Sequence, residues 1–101
     1  MIIYNVTIKV SNQIATAWLE WMKTEHIPEV IATGCFTHCT FVQLLEVDET
    51  EGPTFAAQYH AESKAHYNRY IENFAPSMRD KGFKKWGDNF IAFRSVMKVI
   101  H

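Results

Sequence analysis

With 101 residues, 48% of them hydrophobic and 14% aromatic, the chain has the length of one domain (1–101) and enough apolar content for a core, at a size that keeps stability modest. A formal net charge of −1 and a pI near 6.5 leave no basic surplus to neutralise a phosphate backbone, so nucleic acid is not an expected partner. No apolar run approaches membrane-spanning length, and Met1-Ile2-Ile3-Tyr4-Asn5 begins directly with strand-like residues rather than a basic and apolar leader; the expectation is a cytoplasmic protein without a membrane partner.

Residues 2 to 10 alternate, with Ile2, Tyr4, Val6, Ile8 and Val10 on one face and Ile3, Asn5, Thr7 and Lys9 on the other, which predicts a strand. Ser11 offers an N-cap hydroxyl, and Ile14, Trp18, Trp21 and Met22 follow at helical spacing, predicting a helix over about 12 to 25. Pro28 disfavours helical geometry at Ile27 but suits the first turn of a new helical piece, which Gly34 closes. Residues 35 to 47 and 54 to 62 read as a hairpin around the acidic turn Asp48 to Pro53. Ser63 caps a helix marked by Tyr67, Tyr70, Ile71 and Phe74. Pro76 resets it, a further turn or two carries Met78, Phe83 and Trp86, and Gly87-Asp88 ends it before a last strand, Phe90 to Ile100.

The order β-α-β-β-α-β requires each helix to cross over between parallel strands with right-handed sense and to pack on the same sheet face. The predicted fold is therefore α+β and ferredoxin-like, a four-stranded antiparallel sheet in the order 4-1-3-2 with one face under the helices and the other open. The open face is expected to carry Ile3, Asn5, Thr7, Gln58, His60, Ala92, Arg94 and Val96. The second strand is apolar on both sides, through Phe36, Phe41, Val42, Leu44 and Leu45. A second copy of the chain is the simplest cover for so apolar a face, so a homodimer is expected.

The opening Met1 to Thr7, the segment Trp18 to Gly34, Gln58-Tyr59, the stretch Tyr70 to Pro76 and Phe90-Ile91-Ala92-Phe93-Arg94 together resemble a family of small bacterial proteins known only as a domain of unknown function. Its members look like dimeric α/β-barrel proteins, and the resemblance implies that fold and a dimer but no activity. A wider resemblance is to the dimeric α/β-barrel monooxygenases, including haem-degrading ones, which combine a first-strand asparagine with a tryptophan and a histidine around a cavity. Asn5 is similar in position, while the tryptophan expected near the sheet is absent, Tyr59 standing in the third strand, and neither His60 nor His66 matches the helix histidine, so this resemblance does not transfer the chemistry.

Among the candidate site residues, Asn5, Thr7, Gln58, His60 and Arg94 are expected to converge on the middle of the open face. There they would bind a small polar or anionic molecule or, alternatively, form a buried network that fixes dimer register. His26, at the proline kink, is either a ligand contact or proton carrier with a pKa near neutrality, or a cap for loosened carbonyls. Trp18 and Trp21 have core spacing, with a stacking platform as the functional alternative, and Trp86 reads similarly; His38 and His66 read as surface residues.

Cys35 and Cys39 read as positions on one strand, about 13 Å apart at the strand rise, too far for a disulfide. His38 would point away from both, so no metal site is expected. No phosphate loop, nucleophile elbow or zinc-protease motif is present, and no cofactor is expected. Two functions remain: a homodimeric small-molecule-binding or accessory protein, and a cofactor-light oxygenase or isomerase of small aromatic compounds using Asn5 and His60.

Overall fold

The computed structural model describes residues 1–101 and shows four strands and four helices in the order β1 (Ile2–Val10), α1 (Ala15–Trp21), a π-helical turn (Met22–His26), α2 (Ile27–Ala32), β2 (His38–Gln43), β3 (Thr54–Ala61), α3 (Lys64–Asn73), α4 (Ala75–Trp86) and β4 (Phe90–Lys98). The strands form one antiparallel sheet in the order β2-β3-β1-β4, the expected 4-1-3-2 order read from the other edge. No helix is long and apolar enough to cross a membrane.

Alternation along β1 sends Tyr4, Ile8 and Val10 into the core, all at most 6% exposed, and β3 answers with Phe55, Ala57, Tyr59 and Ala61. Tyr4 is the hub of this layer. Its ring lies 5.5 to 6.2 Å from those of Phe36, Tyr59, Tyr67 and Tyr70. Trp18, 2% exposed, packs between α1 and the sheet against Phe41 and Phe55, at 6.0 and 5.4 Å between ring centroids.

The chain does not break before Pro28. Proline lacks the N–H that an α-helical ladder needs, and the helix absorbs the gap by widening: the Ile27 N–H reaches back five residues to the Met22 carbonyl, and Pro28 sits in the first turn of α2. Ser11 is not the helix cap. A short turn intervenes, its carbonyl accepts from Ile14, and its hydroxyl instead lies 3.4 Å from Asn89 Oδ1. Ser63 does cap α3, accepting from the His66 N–H at 3.3 Å.

Helix α4 is longer than the expected turn or two, and continues through Gly82 to Trp86. Cys35 precedes β2 in a buried turn instead of standing on the strand, so the strand-rise argument does not apply to it. Both thiols are free.

The facing of β4 differs from expectation by one residue. Val6 pairs with Arg94 and Ile8 with Ala92, so Ala92, Arg94 and Val96 share the helix-covered side, and Ile91, Phe93, Ser95 and Met97 occupy the open one. Because the side-chain period of a strand is two, a single-residue error exchanges its faces completely.

Candidate functional site

The sequence-predicted residues divide between two sides of the sheet. Asn5, Thr7, Gln58 and His60 stand on the open face: Asn5 pairs with Gln58, and Ile3 with His60. The Asn5 Nδ2 donates to Thr7 Oγ1 at 3.0 Å and to Ser95 Oγ at 3.5 Å, whereas its Oδ1 is buried without a partner. His60 stacks on His38, centroids 4.1 Å apart and planes within 7°, and its Nε2 lies 3.2 Å from Thr40 Oγ1. Burial and the His38 charge both hold the His60 pKa below its ordinary value. Arg94 is absent from this group. The register that puts it opposite Val6 places it across the sheet, so the five residues do not converge.

Arg94 instead meets His26 at a cavity of about 70 Å³ between the sheet and the helices. Its floor is Tyr4, Val6, Ile8, Ala57 and Tyr59 from β1 and β3, and its roof is built by the π turn and α4. Met78, Gly82 and Trp86 recur at i, i+4 and i+8, which puts all three on the inward face of α4. Gly82 faces the Trp21 ring, whose nearest atom would lie at ordinary contact distance, 3.9 Å, from a Cβ at that position. All three tryptophans of the chain line this cavity.

The wall on the helix side is an aromatic stack. His26 lies against Trp21 with centroids 4.6 Å apart and planes at 18°, and Trp21 meets Trp86 edge-on at 5.8 Å. Burial lowers the His26 pKa to about 4, with Glu29 opposing and Lys81 assisting, so the ring is neutral at pH 7 rather than poised near neutrality. Beyond this wall the Lys81–Glu29 ion pair spans a polar groove also lined by Lys84 and Lys85.

The polar groups of the cavity are few. Arg79 Nη2 donates to the Tyr4 hydroxyl at 3.1 Å, and Arg94 reaches in from β4. Burial and the neighbouring Tyr4 raise the Tyr70 pKa, while the charges of Arg79 and Arg94 pull it back. The indole Nε1 of Trp86 is buried with no hydrogen-bond partner. A concave, mostly apolar space with a handful of inward polar groups is the usual form of a small-molecule site.

Arg79 and the aromatic floor are not singled out by the sequence as site residues, and Trp86, like Trp18 and Trp21, reads there first as a core residue. The i, i+4, i+8 spacing of Met78, Gly82 and Trp86 was the available signal, hidden by reading α4 as a stub.

The family model described as a domain of unknown function (DUF4286) matches residues 1–100. No curated protein matches the chain. Among solved structures, it is similar to an ethyl tert-butyl ether D (EthD) family protein of Bacillus halodurans C-125, with a TM-score of 0.68 at 9% identity over 99% of this chain and 100% of the other. It is also similar to a Deinococcus radiodurans protein classed among antibiotic biosynthesis monooxygenases, with a TM-score of 0.62 at 14% identity over 100% of this chain and 94% of the other. At these identities the likeness concerns the fold, which is the β-α-β-β-α-β architecture expected from the sequence. The match over nearly the full length makes the chain a member of the DUF4286 family.

Proposed function

We propose that this protein binds a small planar organic molecule in the cavity between sheet and helices, and does so as a homodimer whose second copy covers the open face. The buried, unpartnered Trp86 Nε1 carries the reading. A buried donor without an acceptor costs about 1–3 kcal/mol, and a ligand acceptor entering the cavity would recover it. Aromatic walls at Trp21, Trp86 and Tyr70 offer stacking surfaces to a ring.

The dimer is supported by large apolar side chains on the open face: Phe93 is 70% exposed and Ile91 61%, with Val42 and Met97 near 40%. In this reading Asn5, Thr7, Gln58 and His60 form the polar centre of the interface and set its register, and Asn5 Oδ1 finds its donor there.

Tryptophan emission tests the ligand reading directly, because every indole of the chain borders the cavity. Titration with single-ring and double-ring aromatic compounds should change the emission saturably, and Trp86→Phe should weaken the response. A full screen with no saturable change and no rise in melting temperature would sink the proposal.

A second reading is favoured by one observation, the neutral imidazole of His26 on the cavity wall. A neutral histidine can accept a proton, so an oxygenase-like or isomerase-like activity on a small aromatic compound would use His26 as the base rather than Asn5 and His60. Of the two structural relatives, the one from Deinococcus radiodurans carries a monooxygenase name. Turnover assays with phenolic substrates in air, lost in His26→Ala, would favour it; ligand binding without turnover would favour the binding protein.

A further inference from the structure

We propose that the ligand of the cavity is an aromatic carboxylate whose anionic group is held by Arg79 and Arg94. This rests on the ligand-binding reading above and narrows it to one chemical class. The argument begins with charge. The chain as a whole is slightly acidic, at −1, yet both arginines that reach the cavity are cationic and no aspartate or glutamate lines it.

Among the other basic residues of this region, Lys81 pairs with Glu29 and Lys84 Nζ lies 2.9 Å from Asp80 Oδ2, while Lys85 Nζ lies over the Trp86 ring, 5.4 Å from its centroid. Arg79 and Arg94 pair with no carboxylate. Arg79 is also held in place, since it donates to Tyr4 Oη, whose ring is wedged among four other aromatic residues.

Arg94 reaches the same space from the opposite wall, fixed by the pairing of β4 with Val6. A planar guanidinium presents parallel N–H groups that match the two oxygens of a carboxylate, and both arginines line the cavity from solvent-exposed positions where they have no protein carboxylate as partner. The Trp86 indole N–H, buried and without a protein acceptor on a residue that lines the cavity, is the third donor this assignment uses. The ring of the ligand would then lie against the Trp21 and Trp86 walls, while the neutral His26 adds no competing charge.

The test uses benzoate and its neutral isostere benzamide, titrated into the ¹⁵N-labelled full-length protein while the three indole N–H signals are followed. Trp86→Phe assigns its own signal. Benzoate is expected to shift the Trp86 resonance and to bind about tenfold more tightly than benzamide. Arg94→Gln should bring benzoate down to the level of benzamide, and Arg94→Lys, which keeps charge but loses the planar fork, should fall between.

Arg79→Gln should act like Arg94→Gln. If it disturbs the Tyr4 cluster, the dispersion of the same spectrum reports that, and the Arg94 variants still decide. Equal affinity for the two probes, or benzoate affinity unmoved in Arg94→Gln, overturns the carboxylate assignment and leaves the cavity reading standing. Indole signals that move with neither probe overturn both.

Discussion

The imidazole of His26 lies nearly parallel to the indole of Trp21, 4.6 Å away between centroids, and the π-helical turn is what brings them together. Those residues are five apart, a separation that a regular α-helix sets on different faces. The additional residue in the turn, imposed by the missing N–H of Pro28, swings the two rings into register. The same stack shields most of the His26 ring from water.

The first prediction follows from that burial. The folded pKa of about 4 lies below the ordinary value of 6.5, so the unfolded chain binds a proton that the folded chain refuses between those values. Stability from this group is complete above pH 6.5 and is lost as the pH falls toward 4, to an extent of about 3 kcal/mol at most. Urea unfolding at pH 7, 5 and 4 should show this decline, and His26→Gln should flatten it. An NMR titration placing the His26 pKa near 6.5 would contradict the buried stack.

Trp18→Ala should cost about 3–5 kcal/mol, as removal of a large buried aromatic side chain does, and in a domain of this size that approaches the whole stability. Trp18→Phe, which still meets Phe41 and Phe55, should cost less. Chemical denaturation measures both; a loss below about 1 kcal/mol for the alanine variant would conflict with its 2% exposure.

Light scattering should give a particle near twice the 11.7 kDa chain mass at micromolar concentration. Phe93→Glu, on the open face opposite Thr7, should shift the protein to monomer by burying a charge in the interface. A wild-type mass of one chain would remove the homodimer.

Gly52→Ala should destabilise by about 2 kcal/mol or more. At φ +149°, a Cβ on residue 52 would stand 1.8 Å from the carbonyl oxygen of Val10, a backbone atom that cannot rotate away. The β2–β3 connection is anchored to the end of β1 at this point, where Val10 donates to Pro53 and Asn12 to Glu51, each at 3.1 Å. Thermal unfolding of the variant checks the loss, and an unchanged melting temperature would mean that the loop approaches β1 less closely.

The parts of the fold that could be read in advance were those where one periodicity dominates. Strand β1 alternates cleanly, and its observed bounds, Ile2–Val10, are those of the alternation. Ser63 caps α3 because its hydroxyl stands where the first free N–H groups need an acceptor. Strand β4 was not legible in this way. Ile91, Phe93 and Met97 on one side and Phe90, Ala92 and Val96 on the other are all apolar, so composition does not distinguish its faces, and Arg94 suggested the wrong one. A charged side chain reads as solvent-facing unless something announces a cavity beneath it. That cavity depends on contacts between α1, α4 and three strands, and no local window of sequence contains them.

Strand β1 has a practical consequence for redesign. Tyr4, Val6 and Ile8 look into the cavity, while Ile3, Asn5 and Thr7, on the same nine residues of backbone, look the opposite way. Val6, Ala57 and Ala92 are small cavity-floor positions that an engineer can enlarge or trim to reshape what fits inside, leaving every side chain of the open face untouched. Two surfaces separated by one layer of peptide are thus open to alteration one at a time.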